Sequence, residues 1–252
     1  MRYIEKDAEP ACLRQFIDEQ TAAVEASDIG GLAVVYKQMT RTQELREDLS
    51  AQQGRLCGYT GERLPPGHGH VEHIKPQHLC KAETEAAGRE WGKRAEEDLD
   101  YQNLIAAATR PLPRDRDVRV PRAGETDAER EARLQRDSYG AKKKDRWYRP
   151  DMVKPTEPDC ETRLLYLDDG RVVPLNPEDE GADETITALN LNHPTLRTAR
   201  EGSIRGQLTD DVLGDPTGTE LQDVILAAEI PLDGELIEFG FAIIQSARRY
   251  LA

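Results

Sequence analysis

The chain has 252 residues, with 48 Asp and Glu against 34 Lys and Arg, a formal net charge of −14 and a pI near 4.9. That length suits one large domain or two small ones, and a mean hydropathy of −0.72 with 5% aromatics implies a lean core under a heavily solvated surface. No run approaches the roughly 20 consecutive apolar residues that a bilayer span requires, so no membrane partner is expected. The opening MRYIEKDAEP lacks the apolar stretch of a signal peptide, and Cys12, Cys57, Cys80 and Cys160 show no paired spacing. Together these features point to a cytoplasmic protein without a disulfide framework.

The opening MRYIEK is strand-like. From Pro10 to Val24, Cys12, Leu13, Phe16, Ile17 and Val24 fall at helical spacings and predict an amphipathic helix. A second helix is predicted from Leu32 to Leu49, behind the break at Gly30-Gly31. In residues 55–75, LCGYTGERL and HVEHIKP are β-compatible runs around the turn Pro65-Pro66-Gly67, which predicts a hairpin. Ala82 to Asp98 reads as a polar helix, and YQNLIAAA, from Tyr101 to Ala108, as a short buried helix ended by Pro111.

Residues 110–149 form a basic island, with 13 Lys and Arg against 8 Asp and Glu, which leaves a net of −19 for the rest of the chain. Within it, Ala128 to Arg136 predicts a helix whose charges either pair among themselves, as Glu129 with Arg133, or meet a polyanion. In GAKKKDRW, the three adjacent lysines Lys142, Lys143 and Lys144, with Arg146, point to contact with a phosphate backbone. Beyond Pro150, Asp168-Asp169-Gly170 between two apolar runs predicts a hairpin, followed by helices over about 182–200 and 220–252. The last of these, LIEFGFAIIQSARRYL, is the most apolar stretch and reads as core or as a face for a partner.

Four of the five histidines, His68, His70, His73 and His78, lie within eleven residues. Hydrolysis of a phosphodiester needs a base for the proton of water and a cation for the charge that builds on phosphate. Glu72 beside His73 offers both functions, and His70 shares the Glu72 face of a strand as a supporting partner. Asn103, in DYQNL, has a carbonyl oxygen able to ligate a hard cation or orient an imidazole. A rival reading places zinc on Cys57, His68, His70 and Cys80 and makes the chain a noncatalytic, zinc-clasped adaptor.

The strings VEHIKPQ and DYQNLIAA resemble the HNH, or ββα-metal (His-Me finger), endonuclease motif, in the acid-His-Asn version of RNA-guided CRISPR effector nucleases. CGYTGERL, YGAKKKD, the opening MRYIEK and TITALNLN-HPTLRTAR are similar to the HNH proteins of Septu-type antiphage systems, the PtuB family, over roughly residues 1–200. The resemblance implies an α+β fold, predominantly helical, with an embedded ββα-metal nuclease module. It assigns His73 as general base, with Asn103 beside it at the catalytic centre, and Glu72 and Asn103 as ligands of Mg2+ (or Mn2+). It further implies nucleic acid as substrate, DNA or RNA such as tRNA, a PtuA-like ATPase partner, and a retron reverse transcriptase/msDNA assembly as a wider context. On this reading residues 1–50 are an N-terminal helical region, 51–150 the nuclease module with its basic insertion, and 151–252 a partner-binding hairpin and helices.

Two departures from the motif stand out. Many HNH proteins hold a structural zinc with two C-x-x-C pairs, whereas Cys57 is followed three residues later by Thr60 and no second pair exists, so a four-cysteine site is not expected. The third motif position is displaced by the basic insertion, which leaves Asp137, Ser138, Asp145 or water to complete a metal shell.

Overall fold

Helix α1 (Ala11–Ala26) starts on the carbonyl of Pro10 and sinks Cys12, Leu13 and Phe16 into the core, the face its periodicity predicts. The computed structural model describes residues 1–26, 32–108, 120, 122–215 and 217–251. The opening segment forms no strand; Ile4 instead donates its backbone N–H to Pro155 O at 2.7 Å. Helix α2 (Thr42–Gln52) is shorter than predicted, since the stretch before it holds only a 3-10 turn at Tyr36–Gln38. Long-range bonds account for the difference. Val34 N reaches Gly92 O at 2.8 Å and Tyr36 N reaches Asp98 Oδ2 at 3.0 Å, which draws the β-branched pair Val34-Val35 away from helix. The Gly30-Gly31 break lies outside the described residues.

The predicted hairpin over 55–75 is replaced by two separate structures. LCGYTGER closes on itself through a Leu56–Arg63 bridge, with Cys57 N on Glu62 O at 2.8 Å and Gly61 N on Cys57 O at 2.9 Å. Pro65 and Pro66 have no N–H to continue a ladder, so pairing stops there. Strand β1 (His70–His73) pairs antiparallel with β2 (Leu104–Ala107), and His73 stands opposite Leu104. The segment read as a buried helix is therefore a 3-10 turn (Tyr101–Asn103) leading into a strand. Its four residues are fully buried, and cross-strand pairing there overrides the helical preference of alanine. The outer edge of β2 is covered too: Gly58 N donates to Ala106 O at 3.0 Å, and the Gln53 side chain bonds both N and O of Ala106. A Cβ on Gly58 would lie 2.9 Å from Ile105 Cδ1, so a side chain there would force Ile105 to shift.

Helix α3 (Gln77–Ala86) links the two strands and ends earlier than the predicted polar helix, near Gly88 at φ +71°. Helix α4 (Asp127–Arg136) lies where expected, although Arg133 pairs with Glu125 at 2.7 Å and Glu129 accepts from Thr126. The short helix α5 (Ala141–Lys144) follows. Of the basic island, residues 110–119 and 121 lie outside the described residues.

Helix α6 (Cys160–Arg163) leads into the predicted C-terminal hairpin, formed by β3 (Leu164–Tyr166) and β4 (Val172–Pro174). The two predicted helices after it are divided further. Helix α7 (Glu180–Ala188) gives way at Asn190, φ +48°, to α8 (Pro194–Gln207), which has Pro at its first turn. Then come α9 (Asp210–Gly214), α10 (Thr219–Glu229) and α11 (Gly240–Leu251). Helix α11 is core: Phe241, Ala242, Ile243, Ile244 and Ala247 are buried. Arg200 is buried as well, its guanidinium held by Gly170 O and Leu191 O above the Tyr166 ring.

The fold is α+β, with helices around two separate two-stranded antiparallel sheets. One cluster of buried hydrophobic side chains runs from Met1 to Ala247, so the divisions near residues 50 and 150 do not separate cores. Among the described residues no helix is long and apolar enough to cross a membrane.

Candidate functional site

Strand β1 sets the site. Alternation puts His70 and Glu72 on one face and His73 on the other. His70 Nε2 lies 3.2 Å from Glu72 Oε2, and Lys144 Nζ, arriving from α5, lies 2.9 Å from Glu72 Oε1. The same ammonium donates to His73 O at 3.0 Å. Burial alone would push the Glu72 carboxyl up, but its bond to His70 and the charge of Lys144 outweigh that and hold it below the usual range. Among the described residues, three buried polar atoms around the site have no hydrogen-bond partner: Asp98 Oδ1, His70 Nδ1 and the hydroxyl of Tyr59. Burial, and then the Glu72 charge, raise that phenol well above its ordinary value.

His73 is fixed from the other side. Its Nε2 lies 2.9 Å from Asp98 O, and its ring meets Tyr36 edge-on at 4.6 Å between centroids. A carbonyl can only accept, so Nε2 carries the proton and the basic lone pair sits on Nδ1. Among the described residues that atom makes no hydrogen bond. Burial pushes the imidazole pKa down to about 4, against the opposing effects of the Asp98 bond and Glu72, so the ring is neutral at pH 7.

Asn103 has a different role from the one expected. Its Oδ1 accepts the Lys75 N–H at 2.7 Å, and its Nδ2 donates to Lys75 O at 3.1 Å and Glu97 O at 3.2 Å. The amide braces the chain leaving β1 against the turn entering β2, and it is 7% exposed. The donors expected for Mg2+ (or Mn2+) therefore do not fit an ion as they are arranged. Both Glu72 oxygens already face donors, one of them an ammonium, and the Asn103 oxygen is turned to backbone. The metal-ligand assignment of Asn103 is corrected to that of a brace.

Lys144 is corrected as well. Expected on a nucleic-acid backbone, its side chain has 0% exposure and belongs to Glu72. The other basic residues divide: Lys142 pairs with Glu131 at 3.0 Å, whereas partly exposed Lys143 and exposed Arg146 show no acidic partner among the described residues. Trp147 and Tyr148, the aromatic pair beside them, pack on the core. Asp145 is exposed at the end of α5, and Ser138 is buried with its carbonyl on Asn190.

The turn of residues 57–62 is tied to Tyr139, just before α5, by hydrogen bonds. Buried Glu62 accepts from Thr60 Oγ1 at 3.0 Å and from Tyr139 OH at 2.9 Å. Thr60 stands three residues after Cys57, and through Thr60 and Tyr139 the Glu62 carboxylate links this turn to the chain entering α5. The rival zinc set is dispersed: Cys57 Sγ accepts the Ala108 N–H, Cys80 Sγ donates to Lys75 O, His70 faces Glu72, and His68 is exposed, as is His78. Among the described residues no group of three His, Cys, Asp or Glu side chains is placed to share an ion.

Sequence reasoning misses Asp98, Lys75 and the Glu62–Tyr139 link. Asp98 and Lys75 act here through backbone atoms, which leave no trace in residue type. The Lys144 contact had one signal, the string YGAKKKD in the resemblance, but nothing in three adjacent lysines says which one turns inward. No protein-family model matches the chain, and neither does any curated protein.

Proposed function

We propose that this protein is a nucleic-acid phosphodiester hydrolase of the HNH type, acting in the cytoplasm, with His73 as its general base. The observation that carries the reading is the bond of His73 Nε2 to Asp98 O, which leaves the lone pair of a neutral imidazole on Nδ1, at the end of β1 and one residue along the chain from the ion-paired Glu72. In the reaction, water oxygen attacks phosphorus while Nδ1 takes its proton; the ester P–O bond breaks, and solvent returns a proton to the departing oxygen. Lys143 and Arg146 supply backbone contacts, which carry little sequence preference and weaken with salt.

The resemblance to Septu HNH proteins extends this reading to antiphage defence, beside a PtuA-like ATPase and within a retron reverse transcriptase/msDNA assembly. DNA and RNA, tRNA included, are both candidate substrates. The test is cleavage of plasmid DNA and total RNA by wild type and His73→Ala, with and without a co-purified ATPase. Wild type is expected to cut one polymer and His73→Ala to fold but not cut. Substantial cleavage by the variant would refute the assignment.

A further inference from the structure

We propose that Lys144 is the resident cation of this site, so that cleavage through His73 proceeds without a divalent metal ion; this rests on the nuclease reading above. Lys144 Nζ is 2.9 Å from Glu72 Oε1 and 3.0 Å from His73 O, which is the place next to the acid-His pair where a metal was expected. The contact is built into the fold. Gly140, at φ +63° and ψ −143°, lets the chain turn into α5, its N–H is held by Leu189 O at 2.8 Å, and its carbonyl accepts from Lys143 N and Lys144 N. These bonds leave the Lys144 side chain 0% exposed. A divalent ion on Glu72 Oε1 would have to displace this ammonium and strand it in the interior, where an unpaired charge is strongly disfavoured, and one on Oε2 would have to displace the His70 ring and face the same ammonium.

The ammonium is a positioning residue. It cancels the Glu72 charge, so an incoming phosphate meets a neutral pair instead of a bare carboxylate, and it fixes the His73 backbone through the carbonyl. An ammonium has no open coordination position for water, so proton removal falls to His73 Nδ1 alone. The reaction then consumes only water and substrate: one P–O bond forms, one breaks, and the proton passes from water to His73 and on to solvent.

The experiment uses the full chain. Cleavage by wild type and Lys144→Ala is measured in EDTA and in Mg2+ or Mn2+, and Mn2+ binding is measured separately by electron paramagnetic resonance. Wild type is expected to cut undiminished in EDTA and to bind no Mn2+ at Glu72. Lys144→Ala is expected to lose about a hundredfold of its activity in EDTA, the scale for removing one preorganised charge donor, and to recover in Mn2+. The vacated position should take up Mn2+, and Lys144→Ala/Glu72→Gln should release it. A purely structural lysine would show no such rescue. Wild-type cleavage that is lost in EDTA and restored by Mg2+ overturns the proposal, as does wild-type Mn2+ binding that Glu72→Gln abolishes. If wild type cuts no polymer under any condition, the nuclease reading fails, and the Mn2+ measurement alone decides what occupies the site. If Lys144→Ala does not fold, the two wild-type measurements still decide.

Discussion

Lys144 Nζ and Glu72 Oε1 lie 2.9 Å apart although 72 residues separate them, so one ion pair fastens α5 to the end of β1. Replacing the ammonium with a neutral chain strands a largely buried carboxylate. Lys144→Met is therefore expected to cost about 3–5 kcal/mol, the range for breaking a buried pair. Glu72 keeps 15% side-chain exposure, which places the loss at the low end. Lys144→Met/Glu72→Gln should recover most of it, because no charge is then left unpaired. Urea unfolding of wild type, Lys144→Met, Glu72→Gln and the double variant checks this, and a Lys144→Met protein as stable as wild type would contradict it.

His73 and Asp98 respond to acid in opposite directions. Burial lowers His73 from 6.5 to about 4, so between these values the unfolded chain binds the extra proton and stability falls as pH falls. Burial raises Asp98 from 3.8 to about 6, so there the folded chain holds the extra proton, and stability is lost as pH rises through 6. Between about pH 4 and 6 the two effects nearly cancel. Asp98→Asn should expose the His73 effect, a loss on the order of 3 kcal/mol on acidification from pH 6.5 to 4. His73→Gln should show the reverse slope. Urea midpoints across this range test both, and an Asp98→Asn profile parallel to wild type would rule the coupling out. Cleavage, which needs only the unprotonated ring, should persist at pH 5.

The helices were legible where burial follows a local period, as in α1, where Cys12, Leu13 and Phe16 mark the core face. The C-terminal hairpin was legible because Asp168-Asp169-Gly170 writes its turn into the sequence. The central sheet was not, because β1 and β2 are joined by a connection of some thirty residues and Leu104-Ile105-Ala106-Ala107 has no period of its own. At the site, Glu72, His73 and Asn103 could be singled out from residue type and resemblance. The actual partners of Asn103 are the backbone of Lys75 and Glu97, and only the three-dimensional fold discloses them.

That placement makes Asn103 informative under substitution. As a metal ligand it would tolerate Asp, which offers a stronger oxygen donor. As a brace it would not, since a carboxylate can accept from Lys75 N but is repelled by the carbonyls of Lys75 and Glu97. Asn103→Asp and Asn103→Ala are both expected to lose about 2–4 kcal/mol, the cost of leaving two or three buried backbone groups unpaired. Thermal unfolding with and without Mg2+ separates the alternatives. An Asp variant that is as stable as wild type, or that Mg2+ selectively stabilises, would return Asn103 to the ligand role.

Glu62 gives the last prediction, because its carboxylate joins the turn of residues 57–62 to the chain entering α5. Its carboxylate receives Tyr139 OH at 2.9 Å and Thr60 Oγ1 at 3.0 Å, all three residues being buried. Tyr139→Phe and Thr60→Val each keep the shape and remove one donor to a buried charge, so each should cost about 1–3 kcal/mol. The two should be non-additive, since both act on one carboxylate. Glu62→Gln tests the charge itself: an amide still accepts from one hydroxyl, so it should cost less than Glu62→Ala. Gly140→Ala strains the same junction by another route, through a backbone conformation that disfavours a side chain and a Cβ placed 3.0 Å from Thr60 Cγ2. Its expected cost is about 1–3 kcal/mol. Because Lys144 reaches Glu72 only while α5 stays in place, all these variants should weaken the site in proportion to their loss of stability. Cleavage that drops while the unfolding midpoint stays fixed would show that Glu62 acts on the reaction directly and not through α5.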